Sequence, residues 1–458
     1  MLRKRPRALV ATTVHWASTT RLCLALADGG FDVAAAAPAD HGLRKLNLQA
    51  IAAHYDCPPE TGTTQAIAEA IAAWSPDIVI PGDDLAVTSL HELCARAARG
   101  AGKNPRQLLD LIARSLGDHR SFAVARRKSA LVDFARANAV LVPDTIVIDD
   151  LADLRGRLAA APFPQVLKLD GCSGGVGVRI VRSMSEAERS FRELMAMSAW
   201  PTAIRQVGTR LSVGPVLRRW RRGIPAITLQ RFVPGRPANR AVSCWNGEVL
   251  AGISAAALRT IDETGPATVV RIIENREMAE AVAHLVRGLG LSGFVGFDFI
   301  LDKATGRPVL IEMNARPTPI CHVFFDDASD LIGALCAKLA GAKRRQLGEA
   351  ARREIIAFFP QELLRDPHSE YLRKPYHDVP WDEPAFVSAY ARPVRQHARR
   401  WTEAVAEHVQ IVRTRFGQTG EAAAADGSPH VEVLRSELSA SPPARTVSLE
   451  SPDAYGVL

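Results

Sequence analysis

Residues 293–314 read GFVGFDFILDKATGRPVLIEMN, two apolar runs separated by a polar segment of turn-forming residues. This pattern predicts a β-hairpin in which Glu312 and Asn314 lie on one face, because strand residues two positions apart point the same way. Asp298 lies in the first run. Two carboxylates and a carboxamide among apolar residues need a cation, and hard oxygen ligands of this kind suit Mg²⁺, which completes its shell with water and nucleotide phosphates. The hairpin therefore predicts a metal site for a nucleotide.

Length and composition predict a globular enzyme of two or three domains. The chain has 458 residues, of which 47% are hydrophobic and 23% are charged. No stretch approaches the roughly 20 apolar residues of a membrane helix, and the basic first residues run into a strand-like segment without a signal-peptide pattern. The seven cysteines are scattered and include no C-x-x-C pair, which is typical of free thiols in a reducing compartment. We expect a cytoplasmic protein that binds no membrane.

The net charge of +8 raises the question of nucleic-acid binding. However, the basic residues are not interleaved with aromatic ones, and the aromatic content is only 6%. We therefore expect no nucleic-acid partner and small anionic substrates instead. The arginine-rich stretch 205–225 is either a contact for such a substrate or a solvated basic loop.

The first 115 residues or so alternate between short apolar runs and helical patterns. Residues 7–14, 31–36 and 77–81 are strand-like, and a helical pattern that ends at Gly29 lies between the first two. This alternation predicts an open parallel sheet with crossover helices. The absence of G-x-G-x-x-G leaves a dinucleotide domain unsupported. Asp83 and Asp84 follow a predicted strand, at the edge where such sheets usually present ligands.

A glycine-rich loop follows a predicted strand that carries Lys168. The loop, residues 170–177, reads DGCSGGVG. Its backbone N–H groups can approach phosphate oxygens without obstruction by Cβ atoms, although the G-K-[ST] ending of a Walker A loop is absent. A flexible hairpin tip with a surface lysine is the alternative interpretation. Lys128 lies 40 positions earlier on a predicted helix, and residues 228–235 form a predicted strand that runs into a Pro-Gly turn.

The order of these elements strongly resembles the ATP-grasp superfamily over about residues 120–340. The resemblance implies α/β and α+β architecture: an N-terminal open parallel-sheet (pre-ATP-grasp) domain followed by an ATP-grasp fold of two α+β subdomains. The corresponding boundaries are 1–117 for the first domain and 118–340 for the ATP-grasp domain, with a glycine-loop subdomain at about 140–230 and a metal-binding subdomain at about 231–340. A basic C-terminal appendage at 341–416 and a disordered tail at 417–458 complete the expected organisation.

The resemblance also implies roles for individual residues. Lys128 and Lys168 would contact the α- and β-phosphates of ATP, and Arg271 and Arg316 would steady the transferred phosphate. The implied nucleotide contacts further include loop residues Gly171, Ser173, Gly174, Gly175 and Gly177, the adenine-binding strand Gln230, Arg231, Phe232 and Val233, and Asn239 at the ribose. Asp298, Glu312 and Asn314 would hold two Mg²⁺ (or Mn²⁺) ions.

The chain departs from the superfamily pattern where an acidic residue often holds the ribose. Its Pro-Gly turn continues as Arg236-Pro237-Ala238-Asn239, and Gln230 stands where an acidic residue is common. The implied activity is ATP-dependent joining of a carboxylate to an amine through an acyl phosphate, with both substrates small molecules. The alternatives are a phosphorylating enzyme of the carbamoyl-phosphate synthase type and a catalytically silent, nucleotide-binding regulatory protein. The sequence leaves open whether the chain forms a homo-oligomer. Cys321 and His322 do not form a nucleophile–base pair by themselves, since neighbours in an extended segment point oppositely; we expect Cys321 to pack and His322 to contact substrate.

Overall fold

The computed structural model describes residues 5–45, 48–59, 62–102, 104–171, 175–198, 226–323, 330–341, 354–372, 377–380 and 383–391. The tail predicted at 417–458 and the arginines of 205–225 lie outside these residues. Two predicted loop contacts, Ser173 and Gly174, also lie outside them. None of the helices in the described ranges combines the length and apolar character that a membrane crossing requires.

The N-terminal part of the chain is a parallel sheet with strand order β3-β2-β1-β4. Its elements are β1 (Arg7–Ala11), α1 (Ala17–Asp28), β2 (Asp32–Ala37), α2 (Gly42–Lys45), β3 (Ile51–Asp56), α3 (Thr63–Trp74), β4 (Ile78–Pro81), α4 (Asp84–Ala98) and α5 (Pro105–Leu116). Strands β1, β2 and β4 are almost fully buried because helices cover both faces, which explains their continuous apolar runs. The predicted parallel sheet is confirmed.

A second sheet is antiparallel and has the strand order β5-β8-β6-β7. The elements from this region are α6 (Phe122–Arg126), α7 (Lys128–Ala137), β5 (Thr145–Ile148), α8 (Leu151–Ala159), β6 (Gln165–Leu169), β7 (Val178–Val181), α9 (Met184–Ser198) and β8 (Ile227–Arg231). Helices α8 and α9 pack on one face and share an apolar core with β6 and β8. Strand β6 thereby brings Lys168 to the middle of the sheet.

The third sheet has the order β13-β12-β9-β10-β11-β14 and is antiparallel throughout. Its elements are β9 (Gly235–Trp245), β10 (Glu248–Thr260), β11 (Ala267–Ile273), α10 (Arg276–Leu289), β12 (Gly293–Asp302), β13 (Pro308–Asn314), a 3₁₀ turn (Pro319–His322), α11 (Leu331–Leu339) and β14 (Ile355–Ala357). Strands β12 and β13 are the predicted hairpin. The mixed α/β and α+β architecture is confirmed.

Residues beyond 354 pack closely against the rest of the chain. Strand β14 pairs with β11 at the sheet edge, and α12 (Gln361–Arg365), a 3₁₀ turn (Glu370–Leu372) and α13 (Pro384–Ala391) follow it. Phe359, Leu363 and Phe386 form a buried cluster with Ala17 of α1. The segment therefore contacts both the N-terminal helix and the third sheet, while the domain boundary at 340/341 stays a prediction.

A buried carboxylate anchors this segment. Asp378 accepts a hydrogen bond from the backbone N–H of Phe359 at 2.6 Å, lies 2.6 Å from His322 Nε2, and lies 3.7 Å from Arg21 of α1. Burial alone would raise the pKa of Asp378, but the His322 hydrogen bond and the Arg21 charge outweigh it and hold the pKa below its usual value. One carboxylate thus links α1, the turn after β13 and the C-terminal segment.

We expect Asp378→Asn to lower the free energy of unfolding by about 3 kcal/mol, because removing one member of a buried ionic cluster leaves its partners uncompensated. Urea denaturation followed by circular dichroism measures this change. Asp366→Asn is the matched control, since Asp366 belongs to the same segment but is only half-buried and lies 3.8 Å from Arg365. Equal stability of the two variants would show that the Asp378 cluster contributes little.

Candidate functional site

The metal-binding residues predicted from the hairpin lie together on its two strands, β12 and β13. Asp298 of β12 is directly opposite Glu312 of β13 and directly opposite Asn239 of β9. The side-chain amides of Asn239 and Asn314 donate to the two oxygens of Asp298 at 2.7 and 2.8 Å. Since the Asn314 amide nitrogen is used in this bond, its side-chain oxygen is the atom that it can offer to a cation.

The electrostatics of this cluster favour a bound cation. Burial raises the pKa of Asp298, and the neighbouring charge of Glu312 raises it further, although the two amide donors act in the opposite direction. A divalent ion between the carboxylates would relieve this repulsion. Among the described residues no group of three or more His, Cys, Asp or Glu side chains forms a metal cage. Two carboxylates and one amide fit Mg²⁺, which usually takes few protein ligands and leaves positions for water and phosphate.

Two lysines from other elements point at the same carboxylates. Lys168, on β6, has only 5% of its surface exposed, and burial, followed by the charge of Lys128, lowers its pKa to about 8. The charges of Glu312 and Asp298 partly oppose this shift. Lys128 is the first residue of α7, and its Nζ lies 3.1 Å from Glu312 Oε1. The second and third sheets therefore face each other across a cleft that holds two cationic and two anionic side chains.

The glycine-rich loop touches the third sheet at one point. Gly175 has φ +81°, and a Cβ atom built on it would lie 2.3 Å from the carbonyl oxygen of Thr264, in the turn between β10 and β11. Arg182, just after β7, forms an ion pair with Glu263 of the same turn. Gly171 begins the loop, and the carbonyl of Gly177 accepts from the Leu169 N–H at 2.8 Å. The base of the loop is thus fixed against both sheets.

We expect Gly175→Ala to raise the dissociation constant for ATP about tenfold. The positive φ costs an alanine about 1–2 kcal/mol, and the Thr264 carbonyl forces the loop to move, which would displace the backbone donors that we expect to meet the phosphates. Isothermal titration with Mg-ATP measures the effect. Gly156→Ala is the control, because Gly156 lies inside α8 and its added Cβ would meet no atom within 4 Å. Equal affinity of both variants would place the Gly175 turn outside the nucleotide site.

The predicted adenine strand occupies the end of β8. Gln230 is buried, and its side-chain amide donates to Thr145 Oγ1 at 3.1 Å. Arg231 is exposed and bonds through its backbone N–H to the Asp144 carbonyl, while Phe232 and Val233 continue beyond the strand, half-buried. An adenine contact at this backbone stays a prediction.

The side chain of Asn239 is already hydrogen-bonded within the protein, whereas a ribose contact needs a polar group that is open to the ligand. Its amide nitrogen donates to Asp298, and its oxygen accepts from Thr318 Oγ1 at 3.2 Å. The amide nitrogen is therefore bonded to β12 and the oxygen to the segment after β13, because the pairing of β9 with β12 sets Asn239 beside Asp298. The ribose contact stays a prediction.

The two predicted arginines lie in different surroundings. Arg271 of β11 is exposed, between Ala256 of β10 and Ile355 of β14. Arg316 is buried and forms an ion pair with Asp84 of α4, with 2.9 Å between Nε and Oδ1. Sequence reasoning missed this pair, although it noted that Asp84 follows a strand at the ligand-presenting edge of the sheet.

Cys321 and His322 are both buried and point to different partners. Burial raises the pKa of the Cys321 thiol to about 11, so the group is protonated at neutral pH. Burial also lowers the pKa of His322, whose Nε2 is engaged by Asp378. The pair therefore has the surroundings of packed structural residues.

Comparisons with known proteins agree with this arrangement. A family model described as an ATP-grasp domain matches residues 216–319. A phosphoribosylamine–glycine ligase from Vibrio cholerae serotype O1 is 25% identical over 170 residues, which are 33% of this chain and 35% of the relative. The match thus spans about a third of the length of this curated relative.

Solved structures share the fold. A biotin carboxylase from Campylobacter jejuni, in a nucleotide complex, has a TM-score of 0.52 at 13% identity, covering 77% of this chain and 74% of its own. The ADP complex of an N5-carboxyaminoimidazole ribonucleotide synthetase also has a TM-score of 0.52 at 13% identity, with 76% and 80% covered. The ATP-grasp family match thus includes the predicted metal hairpin, and the two solved structures share the fold over about three quarters of the chain.

Proposed function

We propose that this protein is an ATP-dependent ligase that activates a carboxylate as an acyl phosphate and joins it to an amine. The observation that carries the proposal is the convergence of Lys128 and Lys168 with Asp298, Glu312 and Asn314 in one cleft between two sheets. Opposite charges held this close, and partly buried, suit the binding of a polyphosphate together with its metal.

The chain's own residues have distinct parts in this proposal. Lys128 and Lys168 bind the α- and β-phosphates, the glycine loop covers the β- and γ-phosphates, and the backbone at 230–233 binds adenine. Asp298, Glu312 and Asn314 would hold one or two Mg²⁺ (or Mn²⁺) ions. Bound there, Mg²⁺ would neutralise charge on the phosphates. The Lys128–Glu312 contact supports the assignment, because the lysine that we assign to phosphate and the carboxylate that we assign to the metal lie 3.1 Å apart.

The proposed reaction has two displacements. A carboxylate oxygen of the acid attacks the γ-phosphorus, the bond between that phosphorus and the β–γ bridging oxygen breaks, and ADP leaves. The amine nitrogen then attacks the acyl carbon, inorganic phosphate leaves, and the nitrogen loses a proton. The first step brings two anions together, and Arg316, with Arg271 as the second candidate, lowers that repulsion. No nucleophile from the protein takes part.

Further support comes from the relatives and from the cysteines. The curated relative is named as a ligase that joins phosphoribosylamine and glycine, and the solved structures include nucleotide complexes. We propose small-molecule acid and amine substrates for this chain as well. The cysteines assigned in the described ranges are free thiols, five of them buried, which supports a reducing, cytoplasmic location. A homo-oligomer is compatible with this proposal.

The proposal is tested by ADP and phosphate release from Mg-ATP with pooled carboxylic acids, each pool with and without pooled amines. The expected result is release that requires an acid plus an amine in at least one pool. Single-compound assays then identify the pair, and mass spectrometry of the product shows the new C–N bond. Absence of release from every pool would overturn the ligase proposal.

A nucleotide-binding regulatory protein is the second candidate. The polar side chains expected at the base and the ribose, Gln230 and Asn239, are both hydrogen-bonded to protein partners. Tight, metal-dependent ATP binding without turnover in any pool would favour this role over the ligase.

A further inference from the structure

Arg316 is held by the N-terminal part of the chain, although it lies two residues after Asn314 at the end of the metal strand. Its Nε donates to Asp84 Oδ1 at 2.9 Å and its Nη2 to Asp84 Oδ2 at 3.4 Å. The guanidinium also stacks over Trp16, 4.8 Å from the ring centroid. The Arg316 side chain is 8% exposed, whereas that of Asp84 is 52% exposed. Two hydrogen bonds and an aromatic face thus fix a buried cation in one orientation.

Asp84 and Trp16 lie in two segments that the side chain of Asp83 links by hydrogen bonds. The neighbouring Asp83 caps α4 by accepting from the Ala86 N–H at 2.9 Å, and it also accepts from Thr12 Oγ1 at 3.0 Å. Thr12 begins the loop that follows β1 and continues to Trp16. The loop and the start of α4 are therefore linked through Asp83. Both lie at the carboxyl edge of the parallel sheet, which is where open sheets of this type place ligand contacts.

We propose that Asp84 and Trp16 are positioning residues that orient Arg316 towards the carboxylate of the acid substrate. Asp84 engages Nε and Nη2, so Nη1 is the nitrogen that remains to meet a substrate oxygen; its contact with the Pro317 carbonyl is long, at 3.5 Å. Arg316 is also close enough to Asp298 for its charge to act on that carboxyl. The acid site is therefore shared between the first and third sheets. This inference rests on the proposed ligase function.

The arrangement separates ATP binding from the use of the acid substrate. The contacts proposed for the α- and β-phosphates and for adenine come from Lys128, Lys168 and the backbone at 230–233, so they do not depend on Asp84. The orientation of Arg316 does depend on it. Loss of Asp84 should consequently weaken the use of the acid while ATP binding is unchanged. If Asp84 only linked the sheets structurally, its loss would lower the stability of the protein and leave the half-saturating concentration of the acid unchanged.

The test compares wild type with Asp84→Asn, Asp84→Glu and Trp16→Leu in the ADP-release assay, using the carboxylate pool that supports release. We expect Asp84→Asn and Trp16→Leu to raise the half-saturating pool concentration at least tenfold, with the ATP dissociation constant within twofold of wild type. Asp84→Glu, which keeps the charge, should recover most of the loss. Asp56→Asn is the matched control, because it removes the surface ion pair of Arg44 and Asp56, 2.8 Å long, from the same parallel sheet.

Each outcome separates the inference from the function on which it rests. Release by wild type with an unchanged half-saturating concentration in both Asp84→Asn and Trp16→Leu would overturn the positioning role and leave the ligase function standing. No release by wild type would overturn both. If Asp84→Asn fails to fold, Asp84→Glu and Trp16→Leu carry the comparison, and thermal unfolding of each variant identifies such a failure.

Discussion

Glu312→Gln is expected to reduce acid-dependent ADP release about 10³-fold. A loss of this size corresponds to the several kcal/mol of transition-state stabilisation that a metal ion supplies. Glu312 lies directly opposite Asp298 and 3.1 Å from Lys128. A neutral amide keeps the shape of the side chain but loses the charge that holds a cation and the ion pair that holds Lys128. Steady-state release at increasing Mg²⁺ concentration measures the loss, and excess Mg²⁺ should not restore activity.

The matched control for this prediction is Glu277→Gln. Glu277 is a glutamate that pairs with Arg307 in the turn of the same hairpin, at 3.0 Å, but is exposed and away from the cleft. Its variant should retain wild-type release. Full activity of Glu312→Gln would exclude the hairpin as the metal site, even with the fold intact by circular dichroism.

Lys168→Met is expected to weaken ATP binding about 30-fold, which corresponds to the roughly 2 kcal/mol of a hydrogen bond to a charged group. Methionine fills a similar volume and carries no charge. Because burying the ammonium lowers its pKa to about 8, the nucleotide-free variant should be at least as stable as wild type. Calorimetric titration with Mg-ATP and urea denaturation test the two parts separately.

The pH dependence gives a second readout of the same lysine. Phosphate favours the charged form, so the pKa of Lys168 is higher in the complex than the value of about 8 without nucleotide. ATP affinity of wild type should therefore be flat below pH 8 and fall as the pH rises above it. Lys168→Met should lose this fall, while Lys303→Met, at an exposed position in the hairpin turn, should keep it. A fall that persists in Lys168→Met would assign the titration to another group.

The features that sequence predicted best are local in the chain. The alternation in residues 293–314 predicted not only the hairpin but the face shared by Glu312 and Asn314, because strand periodicity and a short turn fix the register. The same holds for the parallel sheet, whose apolar runs and glycine stops are visible within a few dozen residues.

The features that sequence missed depend on contacts between distant segments. Asn239 meets Asp298 only because β9 pairs with β12, 59 positions away, and Arg316 meets Asp84 across 232 positions. No periodicity within either segment carries this information. Strand β14 was missed for another reason: three residues at a sheet edge are too few to show an alternating pattern.

The cluster around Asp378 also bears on how the chain folds during synthesis. Helix α1 is synthesised early, yet its Ala17 and Arg21 contact Phe359, Phe386 and Asp378, which the ribosome adds more than 300 residues later. Domains generally fold as they emerge, beginning with the N-terminal one. Here the apolar surface around Ala17 becomes buried only after the last described helix has been synthesised. Nascent chains shorter than this segment would expose that surface, which makes them natural clients for a chaperone.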